Sequence, residues 1–127
     1  MGALMNTILL IDRESNSLRL LEHHLETSGY RVLRAKTGSV GIELAEEHLP
    51  DLLVMELILP DMDGFQVIDY FRGKALWRLI PIMVLSSRGS IRDGIEGLSK
   101  GADDYLPKPF NTLEFMLRAQ SLLRRSG

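Results

Sequence analysis

The sequence predicts an α/β fold: a doubly wound, five-stranded parallel sheet with helices on both faces. Three observations lead there. Short continuous apolar runs recur along the chain, amphipathic stretches with helical spacing separate them, and the runs end at polar or acidic residues. Strands buried on both faces read as unbroken apolar runs, and strands that alternate with helices build parallel sheets.

Thr7 to Ile11 is the first strand, stopping at Asp12. Ser15 or Asn16 is placed to cap a helix carrying Leu18, Leu21 and Leu25, and Gly29 to end it. Tyr30 to Ala35 is the second strand. Gly38 to His48 has helical spacing at Val40, Ile42, Leu44 and Ala45, although Gly38 and Gly41 lower its propensity. Asp51 to Leu57 is the third strand, and residues 59–64 are loop chemistry. A helix with Phe65, Ile68 and Phe71 on one stripe follows. Trp77 sits in a basic, apolar connector as a packing lid. Ile80 to Leu85 is the fourth strand, and Ile91, Ile95 and Leu98 mark the fourth helix. Asp103 to Leu106 is a short fifth strand. Pro107-Lys108-Pro109 leads to a last helix built around Leu113, Met116 and Leu117, with a second apolar stripe at Phe115 and Leu122.

Length and composition narrow the function. The 127 residues suit one domain, divided as an extension over 1–6, the domain proper over 7–124 and a tail or linker start over 125–127. No apolar run nears the roughly 20 residues of a membrane span, and the N-terminus does not read as a signal peptide, so a cytoplasmic protein is expected. With no cysteine there are no disulfides, thiolate metal sites or cysteine nucleophiles. A net charge of −2 gives no general basic field, so no direct nucleic-acid binding is expected. His23 and His24 are adjacent, diverge on a helix and make a poor metal pair.

Right-handed crossovers put every strand's C-terminal end on one edge, where ligands of such sheets bind. There the sequence places Asp12 and Arg13, Glu56, Ser86 and Ser87, and Lys108. Acids, a hydroxyl and a lysine at a shared edge suit a phosphoryl group and a divalent cation.

Five segments in order, residues 8–12, 50–54, 59–64, 101–106 and 108–110, make the chain resemble a response-regulator receiver domain of two-component signalling. The resemblance covers residues 7–124 and implies a flavodoxin-like (βα)5 fold with strand order 2-1-3-4-5. It also implies a signalling module rather than an enzyme. In that family an aspartate ending the third strand accepts a phosphoryl group from a histidine kinase; the matching residue here is Glu56. Ser86 and Lys108 match the residues that coordinate the phosphoryl group, and Tyr105 the switch aromatic. A pair of Mg²⁺-binding acids is matched by Asp12 and Arg13, with the Ile58 carbonyl as a further metal ligand. Lys108-Pro109 is a candidate cis bond.

Two departures alter the expected chemistry. Asp12 and Glu56 against Arg13 and Lys108 bring the crevice charge near zero, which argues against a resident metal and leaves room only for weak Mg²⁺ binding at Asp12, Glu56 and Ile58. The extra methylene of Glu56 displaces its carboxylate from an in-line attack. The expectation is an Arg13–Glu56 pair, with Lys108 as second partner, in a phosphorylation-independent pseudo-receiver without cofactor. Whether Glu56 holds such a domain on or off stays open.

The expected partners are a signalling protein or an output domain. The resemblance also offers a homodimer through the fourth helix, fifth strand and fifth helix, with Asp104, Glu114 and Arg118 as candidate interface residues. The basic partner expected for Glu114 falls on Gly94. The rivals are a phosphorylatable receiver using another acid, such as Asp61 or Asp63, a flavodoxin-like cofactor binder, and an aspartate-based phosphatase. The segment after the first strand is acidic and glycine-free, which disfavours the cofactor binder.

Overall fold

The computed structural model describes residues 5–87 and 91–126. Residues 1–4 of the expected extension, and Gly127 of the expected tail, lie outside them, as do the side chains of Ile91 and Ser126. Five strands, β1 (Thr7–Ile11), β2 (Arg31–Ala35), β3 (Leu52–Met55), β4 (Ile82–Ser86) and β5 (Asp104–Pro107), alternate with five helices. The helices are α1 (Ser15–Thr27), α2 (Gly38–His48), α3 (Gly64–Arg72), α4 (Ile91–Ser99) and α5 (Thr112–Ser126), and a 3-10 turn at Ala75–Trp77 precedes β4. All strand pairs are parallel, in the order β2-β1-β3-β4-β5.

Alternation along the strands divides the core. Leu9, Ile11, Leu53, Met55, Ile82 and Val84 face α2 and α3. Ile8, Leu10, Leu52, Val54, Met83 and Leu85 face α1 and α5. Trp77 is buried edge-to-face on Phe71, 5.6 Å between ring centroids, and closes one end of the first layer as the sequence suggests.

Two glycines earn their place by close approach. A Cβ on Gly64 would lie 2.5 Å from the Leu57 Cα, and one on Gly41 would strike Ile11. Of the two glycines that weaken α2 by propensity, Gly41 therefore lets it sit tightly on β1, and Gly38 makes room for Met62.

The last helix corrects its predicted face. Phe115, Ala119, Leu122 and Leu123 are its buried stripe, whereas Leu113 and Leu117 are 68% and 57% exposed. Both stripes have helical period, so spacing alone leaves the choice open. The buried one has the small Ala119 where the helix approaches the sheet.

The N-terminus of α1 differs too. Its cap is Glu14 rather than Ser15 or Asn16, and the Glu14 side chain makes no capping bond. That carboxylate is engaged elsewhere.

Candidate functional site

The carboxyl ends of β1, β3 and β4 and the loop after β5 bring Asp12, Glu56, Ser86 and Lys108 together, as the topology requires. Glu56 is 2% exposed. Its Oε2 accepts from the Leu57 amide (2.7 Å), the Ile58 amide (3.1 Å) and the Ser86 hydroxyl (2.7 Å). Its Oε1 accepts from the Ser87 amide (3.2 Å) and hydroxyl (3.3 Å) and faces the Lys108 ammonium at 3.2 Å. Burial alone would raise the Glu56 carboxyl. The Ser86 hydroxyl, the Ile58 amide and the Lys108 charge outweigh it and hold the carboxyl below its ordinary value.

Lys108 is the cation of the site. Its Nζ lies 2.7 Å from Asp12 Oδ2, 2.9 Å from Glu14 Oε1 and 3.2 Å from Glu56 Oε1. Burial pulls its pKa down, but bonds to Asp12 and Glu14 and the charges of Asp12 and Glu56 leave it above the usual lysine value. For Asp12 the balance falls the other way, and burial keeps its carboxyl above the ordinary range despite Lys108.

The expected Arg13–Glu56 pair does not form. Arg13 is exposed and, among the described residues, makes no hydrogen bond or ion pair. The cause is the turn after β1: Asp12 Oδ1 accepts from the Glu14 amide at 3.0 Å, an Asx turn that brings residue 14, not 13, back over the pocket. Glu14 is thus a site acid that sequence reasoning missed, and Ser87, placed at the edge without a role, is a second donor. The signal was the i, i+2 spacing of Asp12 and Glu14.

The charge count changes with it. Among the described residues, three carboxylates against one ammonium leave a formal −2, where the expectation from Arg13 was a charge near zero. One oxygen from each of Asp12, Glu14 and Glu56 lies within 4.8 Å of the other two, so as donors they fit a hard divalent cation. The ammonium already among them is its competitor. Ile58, expected to offer a carbonyl to a metal, gives Glu56 its amide.

Other predicted residues lie outside this cluster. Asp61 Oδ1 accepts from the Gly38 amide at 2.8 Å, and Oδ2 from the Ser39 amide at 2.9 Å and hydroxyl at 2.7 Å. These bonds, the Ser39 hydroxyl foremost, lower the Asp61 carboxyl to about 2. Asp63 caps α3, accepting from Phe65 in a capping box with Gln66. The Tyr105 ring packs against α4, where a Cβ on Gly94 would meet it at 3.4 Å. Asp104, Glu114 and Arg118 form one triad within the chain: Arg118 Nη1 to Asp104 at 2.6 Å and Nη2 to Glu114 at 2.8 Å. The Lys108-Pro109 bond is cis.

This fold and this cluster define a receiver. Residues 8–120 match the response regulator receiver domain, and the chain belongs to that family. It is 41% identical over 122 residues to the transcriptional regulatory protein KdpE of Mycobacterium tuberculosis, covering 96% of this chain and 53% of that protein. It is 40% identical over 119 residues to the alkaline phosphatase synthesis transcriptional regulatory protein PhoP of Bacillus subtilis, covering 94% and 49%. The chain thus spans about half the length of these curated relatives. Among solved structures, a putative response regulator from Chloroflexus aurantiacus superposes with a TM-score of 0.90 at 33% identity, covering 95% of this chain and 99% of that one. The chain is a receiver module of two-component phosphorelay signalling. No helix among the described residues is long and apolar enough to cross a membrane.

Proposed function

We propose that this receiver signals without accepting a phosphoryl group, with the Glu56 carboxylate standing in for one. The observation that supports this is the saturation of Glu56. Both oxygens are surrounded by donors, including Ser86 and Lys108, the two side chains that the family uses to hold a phosphoryl group. A nucleophile must present a free lone pair to its electrophile in line. Glu56 at 2% exposure has its lone pairs committed inward. In this reading the carboxylate links β3, β4 and the β5–α5 loop as a phosphoryl group would, and the domain signals without a kinase. Lys108 supplies the positive charge at the acids, and no cofactor is needed to hold it.

The output is then a matter of protein contact, not catalysis. The named relatives are transcriptional regulators, and this receiver acts on an output domain or a separate signalling partner. An open groove of about 460 Å³ beside the pocket, lined by Glu14, Ser17, Leu20, Ser87, Pro109 and Phe110, gives a partner access to Lys108. A homodimer through α4, β5 and α5 would have to recruit Asp104, Glu114 and Arg118 from their triad within the chain. Exposed Ile95 and Leu98 on α4 supply apolar surface for it.

A second reading, a Mg²⁺-dependent acceptor, is favoured by one observation: three carboxylates converge on a common point. Its acceptor is not Asp61 or Asp63, because both carboxylates are tied to helix N-termini. Intact-mass spectrometry after acetyl phosphate and Mg²⁺ separates the two. The proposed function expects no adduct of about 80 Da, one phosphoryl group, on the wild type; a labile adduct at the pocket overturns it.

A further inference from the structure

Away from the acidic pocket, the opposite charge gathers in a second cavity. It lies between the first turns of α1 and the end of edge strand β2, has a volume of about 520 Å³, and is lined by Ser15, Leu18, Arg19, Arg34 and Lys36. Three of those five side chains are cations, in a chain whose net charge is −2. No carboxylate is among them. The acid on the flank is Glu22, 3.3 Å from Arg34 Nη1, which offsets part of that one charge. Arg19 is held by a neutral partner, Asn16 Oδ1, at 2.9 Å. Lys36 makes no hydrogen bond or ion pair among the described residues.

We propose that this cavity binds a small molecule carrying a diphosphate group. Its volume falls within the roughly 300–1,000 Å³ of ligand sites. Guanidinium groups from opposite walls, Arg19 on the helix and Arg34 on the strand, present planar forks to phosphate oxygens. Lys36 adds a point charge and Ser15 a hydroxyl. Two guanidinium groups on separate elements, helix and strand, can each take one phosphate of a diphosphate, which a single phosphate cannot offer. Leu18 gives a small apolar floor and there is no aromatic ring in the lining, so recognition is directed to the anhydride rather than to a base.

The test is a titration of the protein with inorganic pyrophosphate, ADP and adenosine, followed by amide NMR shifts, with sulfate at matched ionic strength as reference. Saturable shifts at Ser15, Arg19, Arg34 and Lys36 with pyrophosphate and ADP, and none with adenosine, are expected. A tighter response to ADP identifies a nucleotide as the source, and an equal one identifies free pyrophosphate. Arg19→Ala with Lys36→Ala should weaken binding at least about fivefold, given the modest strength of exposed ion pairs. Glu22→Gln should tighten it about twofold by releasing Arg34, a gain that a merely structural role for these residues would not produce. Equal shifts with sulfate and pyrophosphate, or no saturable shift at millimolar pyrophosphate, overturn the proposal and leave the cations as protection of an edge strand.

Discussion

The Ser86 hydroxyl donates a 2.7 Å hydrogen bond to Glu56 Oε2, tying the end of β4 to the end of β3 inside the protein. Neither partner is more than 2% exposed. A carboxylate so placed is stable because donors meet both of its oxygens. That relation carries most of what the site can and cannot do.

Removing the hydroxyl should therefore cost more than an ordinary surface bond. Ser86→Ala is expected to destabilise the fold by about 1–3 kcal/mol, the range for a buried acceptor left short of a partner. The Glu56 carboxyl should also titrate at higher pH than in the wild type. Urea denaturation measures the first and carboxyl NMR titration the second. An unchanged midpoint would show that the hydroxyl does not support Glu56.

Glu56→Gln offers a sharper contrast. The amide nitrogen must face either the Ser86 side, with the Leu57 and Ile58 amides, or the Ser87 side with Lys108, and donors occupy both. The variant should be less stable than Ser86→Ala despite its near-identical shape. Equal or greater stability would mean that the carboxylate charge is not in use.

Lys108→Met leaves Asp12 and Glu56 without their cation. The Lys108 side chain is 11% exposed, and loss of one partner in a buried charge cluster costs about 3 kcal/mol near neutral pH. The sign of the pH dependence follows from the acids. Glu56 has a folded pKa below its unfolded value, so its contribution is present above the ordinary carboxylate range and is lost as pH falls through the lowered value. Without Lys108 both acids titrate higher. The gap between variant and wild type should narrow as pH drops below about 5, near the carboxylate range. Denaturation at pH 7 and pH 4 reads it; a constant gap contradicts the cluster.

Asp61 makes a separate acid-sensitive link between the β3–α3 loop and the start of α2. Its carboxyl sits at about 2 against an ordinary 3.8. Its support for the fold is complete above the ordinary value and disappears as pH falls toward 2. Amide exchange at Gly38 and Ser39 should accelerate over that window, and in Asp61→Ala should be fast at every pH. Protection retained in the variant would assign the link to other bonds.

Much of this was legible in the sequence, for physical reasons. Runs such as Ile8 to Ile11 are buried on both faces and have one reading, which fixes strands, order of elements and the edge where Asp12, Glu56, Ser86 and Lys108 meet. The failures are of direction. Arg13 and Glu14 differ by one residue, and only the Asx turn at Asp12 decides which side chain returns to the pocket. Leu113 and Phe115 lie on stripes of equal period, and only docking on the sheet decides between them. The expected built-in cation, Arg13, is absent from the pocket; the ammonium there is that of Lys108, which the topology had already delivered.

The central claim is that the Glu56 carboxylate occupies the place of a phosphoryl group. Titration of the wild type with beryllofluoride and Mg²⁺, followed by NMR at Ser86, Ser87 and Lys108, tests it most directly, with Glu56→Asp as the comparison. The account predicts silent wild-type resonances at these residues and saturable shifts in the aspartate variant. Saturable shifts of the same three residues in the wild type would contradict it.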